Sequence, residues 1–438
     1  MIVNYTFSNF RSFKNQTELS MKAGRQTSLK NTLITTKDLR LVPSAVIYGA
    51  NASGKSNIIM SLSIMKEIIL SGTLDTDIPQ LNNLELYPFL HDTDDKPMTF
   101  EIDFIHKGER ILYSFEVALS KIKRTKREFI SEKLSLIKSG NLRKIFTRNK
   151  NRVHIIKDKK TLTILDFKED LLNEFEKKIN DNLDSAELFL TRAFKSIISN
   201  KLSEIVLDFF SEELTVVSDF TLKKARLLLS TEEVTKKDFL LWNKILDGFV
   251  KNADFGPQDI AFLPNQTEND DISNMELVSL YKFRNKNYAI PAEIMESRGT
   301  LKLIDFAIPF EKLFRSGGVF VLDEFDSAIH PELVKGILAL FNNPEINKAG
   351  AQLIFTTHNP IYLNNKIFRR DQIRFVEKDK DTFESILYSL ADFGSETVRN
   401  DHNFLINYFK GNYGALPFID FSSLLKQHTV TEKANGDV

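Results

Sequence analysis

One short segment of the chain carries residues suited to holding a nucleoside triphosphate. Residues 49–56 read Gly-Ala-Asn-Ala-Ser-Gly-Lys-Ser and match the pattern GxxxxGK[ST]. The glycines let successive backbone N–H groups face the phosphates, with a helix N-terminus behind them. Lys55 would reach the β- and γ-phosphates of ATP, and the Ser56 hydroxyl would take one position on Mg²⁺. The residues predicted to contact nucleotide here are Gly49, Ala50, Asn51, Ala52, Ser53, Gly54, Lys55, Ser56 and Asn57.

A second segment carries two adjacent carboxylates. Residues 319–324 read Val-Phe-Val-Leu-Asp-Glu, four apolar residues followed by two acids. A buried strand would deliver Asp323 to the Mg²⁺ shell and Glu324 to the water that attacks the γ-phosphate. Many apolar strands end in acids, so this pattern alone indicates little. In a chain that also has a phosphate loop, it is the expected second element of the nucleotide site. We predict that Glu324 and Lys55 are catalytic and that Ser56 and Asp323 bind the metal.

Two further segments could touch the γ-phosphate. Residues 296–300, Glu-Ser-Arg-Gly-Thr, start a predicted helix, and a helix N-terminus with Ser297, Gly299 and Thr300 makes a second anion site. One nucleotide seldom needs two such sites from one subunit, so this site would serve ATP bound to a neighbouring copy. Read alone, the pentapeptide is also an ordinary helix cap. His358, just past a strand, is predicted to bond the γ-phosphate and to take part in catalysis.

The elements that must position these residues follow from hydrophobic periodicity. Helices are predicted after Ser56, from about 300, and after Pro331. Helical spacing also covers 167–250. Within that stretch, Ser230 and Glu233 form a capping box before a helix at 234–249. The predicted strands are two within 2–22, joined by a turn at 9–12, then 45–48, 99–105, 111–119, 129–137, 153–156, 161–165, 276–283, 287–294, 319–322 and 353–356.

These elements predict an α/β fold. A parallel core sheet would carry the phosphate loop, beside an antiparallel β-subdomain and a helical insertion. The predicted units are residues 1–165 for the first ATPase lobe, 166–255 for the helical insertion, 256–428 for the rest of the ATPase core and 429–438 for a disordered tail.

Composition limits the functional classes. The 438 residues include 59 basic and 59 acidic residues, so no global field favours nucleic acid or membrane. Cysteine is absent, which excludes thiolate metal sites and thiol nucleophiles within this sequence. The N-terminus does not read as a signal peptide, and no apolar run of eighteen residues occurs, so we expect a cytoplasmic protein without a membrane partner.

Together, the four segments resemble the ABC-type ATPase heads of the SMC class. Within it, the chain is similar to the OLD-related bacterial ATPases of phage defence, including RloA-like proteins and the ATPase subunit of PARIS-type systems. The resemblance covers most of residues 1–420. It makes residues 49–56 the Walker A loop, 297–300 the signature, 319–324 Walker B, 326–328 the D-loop and His358 the switch histidine.

The same resemblance adds nucleotide contacts and partners. It implies that Asn9 and Arg11, in an N-terminal turn, approach the nucleotide, as does Asp326 of the D-loop. The chain would form a homodimer, or a higher oligomer of head-to-head dimers, around ATP and Mg²⁺. It would control a separately encoded effector, a Toprim-like nuclease, in response to a phage-derived trigger protein.

Two departures from the family pattern bear on function. The signature differs from the Leu-Ser-Gly-Gly-Gln of transporters, which argues against a transporter subunit. No glutamine occurs between 87 and 98 to serve as the glutamine loop, and His91 or Asp92 could replace it. The pair Asp379 and Asp381 lies between two strand-like stretches, so a polar turn is favoured there over a nuclease metal site.

A local charge excess leaves alternatives open. Residues 121–160 hold 15 Lys or Arg against three acids. This strip could bind the phosphates of DNA or RNA, pair with the acidic stretch 166–187 of a neighbouring subunit, or be a solvated strand edge. Nucleic-acid binding would favour an autonomous SMC-like DNA-repair or chromosome ATPase instead of an effector-controlling switch.

Overall fold

A computed structural model describes most of the chain. The described residues are 1–75, 85–91, 96–119, 127–218, 234–237, 240–243, 248, 257, 259–263, 276–394, 398 and 402–417. The predicted tail at 429–438, the capping box at Ser230 and Glu233, and Asp92 lie outside them. None of the helices in the described part of the chain is long and apolar enough to span a membrane.

The strands and helices are numbered in chain order. The strands are β1 (Ile2–Ser8), β2 (Thr17–Ser20), β3 (Ile34–Thr35), β4 (Arg40–Leu41), β5 (Ser44–Gly49), β6 (Met98–His106), β7 (Glu109–Leu119), β8 (Arg127–Lys138), β9 (Asn141–Asn149), β10 (Arg152–Ile155), β11 (Leu214–Val217), β12 (Val234–Lys237), β13 (Leu240–Asn243), β14 (Asp259–Leu263), β15 (Glu276–Phe283), β16 (Lys286–Pro291), β17 (Val319–Leu322), β18 (Gln352–Thr356), β19 (Ile373–Lys378) and β20 (Ser385–Ser389). The α-helices are α1 (Lys55–Ser71), α2 (Lys159–Leu165), α3 (Glu169–Asn182), α4 (Asn200–Asp208), α5 (Ala292–Met295), α6 (Arg298–Ser316), α7 (Pro331–Asn342) and α8 (Phe404–Phe409).

The core sheet has the order β11-β17-β18-β5-β19-β20. All neighbouring pairs are parallel except β19 with β20. Every residue of β5, β17 and β18 is buried, as expected for parallel strands covered on both faces. Apolar side chains of α1 pack against one face, and those of α6 and α7 pack against the other. The predicted α/β class with a parallel phosphate-loop sheet is confirmed.

The antiparallel β-subdomain is a seven-stranded sheet of order β10-β9-β8-β7-β6-β1-β2. Its inner face shares a hydrophobic core with α1, so the subdomain and the core sheet pack around the same helix. Gln352, at the start of β18, joins the two sheets directly. Its side chain accepts a bond from the Ile2 N–H at 2.6 Å and donates one to the Ile2 carbonyl at 3.0 Å.

A helical insertion lies between β10 and β11. It consists of α2, α3 and α4 with two π-helical segments, Leu190–Ile198 and Phe209–Glu213. Buried Glu132 on β8 fixes its position, because the carboxylate accepts the N–H groups of Phe189 and Leu190 at 2.8 and 2.9 Å. Arg148 lies 3.5 Å from that carboxylate and compensates its buried charge.

Three expectations about secondary structure were wrong. Residues 214–217, within the stretch predicted to be helical, form β11 and pair with β17 at the edge of the core sheet. Residues 161–165, predicted as a strand, belong to α2, because Asp158 caps the N–H groups of Lys160 and Thr161 and starts a helix there. The helix predicted at 234–249 is replaced at 234–237 and 240–243 by β12 and β13. These strands join β14, β15 and β16 in a five-stranded antiparallel sheet, so pairing with distant strands overrides the local helical spacing.

Candidate functional site

The phosphate loop connects the end of β5 to the start of α1. Asn51 and Ala52 form its exposed tip, Ala50 is half-buried, and Ser53 is buried beneath the tip. Gly54 has φ +116°, and a Cβ there would lie 2.7 Å from Ser385 Oγ. A glycine is therefore required where the loop turns into the helix against β20.

Lys55 is buried at the base of this loop. Its Nζ donates to the carbonyls of Gly49 and Ala50, both at 2.9 Å. Burial lowers the pKa of Lys55 to about 8, although the nearby Asp323 and Glu324 carboxylates act in the opposite direction. The ammonium group is thus close to both acids of the second segment, as the sequence predicts.

The two acids follow β17, beside β18. The Thr356 hydroxyl, at the end of β18, donates to Asp323 Oδ1 and accepts the Glu324 N–H at 2.8 Å. Glu324 has φ +46°, a left-handed conformation that turns its backbone away from the strand. His358 Nε2 lies 3.5 Å from Glu324 Oε1, and both side chains are exposed. The structure therefore brings the candidate base and the candidate switch histidine together.

The predicted metal ligands, Ser56 and Asp323, are oxygen donors of the kind that Mg²⁺ binds. Ser56 lies exposed on the first turn of α1, and Asp323 lies at the end of β17. Mg²⁺ is usually held by one or two protein oxygens, with phosphate oxygens and waters completing the shell. Among the described residues, no group of three or more His, Asp or Glu side chains could hold a metal. Ser56 and Asp323 would hold the ion, which would neutralise phosphate charge.

The predicted second anion site is the N-terminus of α6. Ser297 caps this helix, accepting the Thr300 N–H at 3.1 Å, and the two hydroxyls lie 2.9 Å apart. Ser297 is exposed, whereas Gly299 is buried against the D-loop, where a Cβ would lie 2.0 Å from the Ala328 carbonyl oxygen. The helix tip and the D-loop are therefore in direct backbone contact.

Lys302 strengthens this contact and was missed from the sequence. It is buried on α6, and its Nζ donates to the Glu324 carbonyl at 2.8 Å and to the Ser327 carbonyl at 3.5 Å. Burial lowers the pKa of Lys302, opposed by the carboxylates of Asp326, Glu324 and Asp323. The one sequence feature that could have indicated its role is its position among the apolar residues of a predicted helix, where a lysine is unusual. Lys302 connects the helix tip to the backbone of the candidate base.

Asn9 is buried, and Asp326 is half-buried. Burial raises the pKa of Asp326, while a hydrogen bond from Thr357 and the nearby Lys302 and His358 lower it. Asn9 is buried, and its amide donates to the Lys96 carbonyl at 2.7 Å and accepts the Phe89 N–H at 3.1 Å. In this chain Asn9 ties the N-terminal turn to the segment before β6.

Arg11 lies beside the start of α1. Its guanidinium donates to Asn57 Oδ1 at 3.4 Å and pairs with Glu85. Asn57 in turn donates to Ser12 Oγ at 2.8 Å, so this side chain connects the N-terminal turn to α1. The structure therefore brings Arg11 and Asn57 together at the edge of the phosphate loop.

Ser385 supports the phosphate loop from β20 and was also missed from the sequence. Its hydroxyl donates to the Ser53 carbonyl at 2.6 Å, and its N–H donates to the Ser12 carbonyl at 2.7 Å. A serine after a polar turn carries no distinctive pattern. The turn before it is the polar one predicted at Asp379, whose carboxylate accepts the N–H groups of Asp381 and Thr382.

Part of the basic strip is neutralised within the chain. Ion pairs join Lys138 to Glu109 at 3.4 Å, Arg143 to Asp158 at 2.8 Å and Lys157 to Glu176 at 3.0 Å. Glu176 belongs to the acidic stretch 166–187, so this pairing with the strip occurs inside one chain. Residues 121–126 lie outside the described residues.

The core sheet, its glycine loop and the two acids define a P-loop nucleotide-binding domain. Residues 44–364 match the family model described as "AAA domain, putative AbiEii toxin, Type IV TA system". This span exceeds half of the chain and includes Lys55, Ser297, Glu324 and His358. The chain belongs to this family of nucleotide-binding ATPase domains.

Solved structures of SMC heads are similar to the chain at low identity. One is the SMC head bound to the C-terminal winged-helix domain of ScpA, with 13% identity, a TM-score of 0.39, and coverage of 89% of this chain and 97% of that one. Another is the SMC head with an extended coiled coil bound to the C-terminal domain of ScpA, derived from Pyrococcus furiosus, with 13% identity, a TM-score of 0.37, and coverage of 89% and 96%. No curated protein matches the sequence.

The lowered pKa of Lys55 predicts a pH-dependent affinity for ATP. Phosphate binding favours the charged ammonium, so affinity should fall as the pH rises above the pKa of about 8 of Lys55 in the free protein. The fall should approach about tenfold per pH unit. Calorimetric titrations with ATP on both sides of this pH would measure it, with Lys55→Arg as the control that stays charged. A wild-type affinity that rises with pH would contradict the assignment.

Lys302 is predicted to affect turnover more than ATP binding. Lys302→Met keeps the length of the side chain but removes its bonds to the Glu324 carbonyl, so kcat should fall about 10- to 100-fold, with KM for ATP nearly unchanged. Lys312→Met, on the exposed side of the same helix, is the matched control, since its pair with Glu212 is exposed. Equal kcat values for the two variants in a steady-state ATPase assay would show that the connection is not used.

Proposed function

We propose that the chain is an ATP-hydrolysing switch in which two copies enclose ATP between them. Lys55 of one copy would hold the β- and γ-phosphates, and the Ser297 helix tip of the other copy would bind the γ-phosphate from the opposite side. Glu324 would accept the proton of the attacking water, and His358 would contact the γ-phosphate. Hydrolysis would then remove the group that both copies bind and separate them.

The exposed, rigidly held tip of α6 carries this proposal. The phosphate loop, Asp323, Glu324 and His358 would already supply the phosphate donors, the metal ligand and the base of one hydrolytic site. The tip at Ser297 would therefore be a surplus anion site on the same chain. Gly299 contacts the D-loop, and Lys302 contacts the Glu324 backbone. Through these contacts, a γ-phosphate bound at the α6 tip of one copy would influence Glu324 of the same copy.

Preorganised charge would supply most of the rate enhancement. Lys55 and the loop N–H groups would stabilise the charge that develops on the transferred phosphoryl group. Glu324 would orient the water and remove its proton, a role usually worth about 10²- to 10⁴-fold in rate. The His358 imidazole, 3.5 Å from Glu324, would report whether the γ-phosphate is present.

The output of the switch would be a separately encoded effector. The described residues include no cluster of acids that could bind the metals of a nuclease. The family description names a putative toxin and a toxin–antitoxin system, which supports a role in controlling a toxic activity. With the resemblance to phage-defence ATPases, this supports an ATPase that holds a nuclease inactive until a phage product appears.

Complementation between two inactive variants would test the shared site. Lys55→Ala removes the phosphate cation, and Ser297→Asp repels the γ-phosphate while keeping a good helix cap. Each variant alone should be inactive. An equimolar mixture should recover about a quarter of the wild-type rate, because half of the dimers are mixed and each has one intact site of two. A mixture as inactive as its components would place both residues on the same nucleotide in one copy and refute the enclosure.

A variant that binds ATP without hydrolysing it would test the link to an effector. Glu324→Gln should retain ATP and stay in the enclosed dimer, so a neighbouring gene product that copurifies with wild-type protein should not be released on activation. Wild-type protein and Lys55→Ala, which should not close around ATP, are the matched comparisons. Normal release from Glu324→Gln would rule out hydrolysis as the releasing step.

A further inference from the structure

The hairpin formed by β15 and β16 carries a surface that the ATPase site does not use. The two strands pair in register through Tyr281 with Tyr288 and Phe283 with Lys286. Arg284 and Asn285 form a two-residue turn with positive φ at both positions, 47° and 64°, which matches the twist of a tight hairpin. Residues 282–289 at its outer end are all exposed.

Aromatic and basic side chains alternate at this outer end. Residues 281–288 read Tyr-Lys-Phe-Arg-Asn-Lys-Asn-Tyr, and no acidic residue occurs from 277 to 292. Phe283 is 58% exposed and Tyr288 is 43% exposed. Strand alternation and the pairing register place both rings and Lys286 on the same face. The hairpin therefore presents two exposed aromatic rings among positive charges, and the Arg284 guanidinium lies over one face of the Phe283 ring, 5.1 Å from its centroid.

We propose that this hairpin binds single-stranded nucleic acid. Bases would stack on the Phe283 and Tyr288 rings, and phosphates would contact Lys286 on the same face and Arg284 at the turn. Lys282, on the opposite face, would add to the positive field that attracts the strand.

The side-chain composition favours an unpaired strand over the other polyanions. A two-stranded ribbon could enter the major groove of duplex DNA, but paired bases offer their edges there and leave no π-face for the two rings. An acidic protein would complement the charges without requiring open aromatic faces. Unpaired bases satisfy both features, because every base has a π-face and every nucleotide carries a phosphate.

The base of the hairpin is connected to the phosphate-binding tip of α6. Ser279 and Tyr281 both donate hydroxyl hydrogen bonds to Glu296 Oε1, at 2.7 and 2.8 Å. Glu296 directly precedes Ser297, the cap of α6. Burial and the Glu296 carboxylate raise the pKa of Tyr281 to about 12, so its hydroxyl remains a donor over a wider pH range than an ordinary phenol does. Nucleic acid bound at the outer end of the hairpin would thus affect the position of Ser297. This step rests on the proposed function.

Binding can be measured by fluorescence anisotropy with labelled oligothymidylate at low salt. Phe283→Ala and Tyr288→Ala should each weaken binding about tenfold. Lys282→Glu with Lys286→Glu should weaken it further and reduce the salt dependence by about one unit of slope per lost phosphate contact. The matched control is Leu142→Ala with Lys144→Glu on the β8–β9 hairpin, also exposed and basic, which should bind as wild type does.

Several results would overturn the proposal. One is a failure of the wild-type protein to bind the oligonucleotide at all, and another is a control variant that loses as much affinity as the β15–β16 variants. A third such result is competition by duplex DNA or polyglutamate that equals competition by unlabelled oligothymidylate. The last result would indicate a duplex or an acidic protein as the partner. Unchanged circular dichroism and thermal unfolding of the variants would show that their losses come from the surface.

The connection to the ATPase site has its own test. Tyr281→Phe keeps the ring but removes the hydroxyl that bonds Glu296, so it should bind oligothymidylate with wild-type affinity. Any change in ATPase rate that the oligonucleotide causes in wild-type protein should be lost in this variant. A wild-type protein that binds the strand but hydrolyses no ATP would refute the proposed function and leave the binding site standing. An unaltered response in Tyr281→Phe would refute only the connection.

Discussion

The register of three neighbouring parallel strands determines where the chemistry can occur. β17, β18 and β5 lie side by side, with Leu322 opposite Phe355 and Thr356 opposite Ile47. Parallel strands end at the same edge of a sheet, so the phosphate loop and the two acids arrive there together. Thr356 completes the alignment, because its single hydroxyl bonds both the Asp323 side chain and the Glu324 backbone. A shift of one strand by one residue would separate these groups.

The surrounding elements add connections to this edge. β20 supports the phosphate loop through Ser385, and α6 contacts the catalytic turn through Lys302 and Gly299. The five-stranded sheet reaches the start of α6 through Glu296. Packed cores and short hydrogen bonds transmit displacement better than loops do. The nucleotide, a second copy and a ligand on the hairpin would therefore act on overlapping sets of atoms.

Much of the core could be predicted from sequence, because glycine positions and strand-ending acids leave few conformational choices. The phosphate loop, β17 and the start of α6 follow from local residue chemistry at 49–56, 319–324 and 296–300. β12 and β13 could not be predicted, because their helical spacing is overridden by the pairing of β12 with β13 and of β13 with β14. Lys302 and Ser385 were missed for a related reason. Their partners lie at least 22 residues away along the chain, and neither residue type marks a function by itself.

The position of β5 has a consequence for synthesis on the ribosome. β5 is buried along its whole length, yet its neighbours in the sheet, β18 and β19, begin about 300 residues later in the chain. At about 5–20 residues per second, the apolar strand waits roughly 15–60 s for a partner. During that time its unpaired edge is open to aggregation. Translation speed and chaperone supply should therefore affect the yield of folded protein.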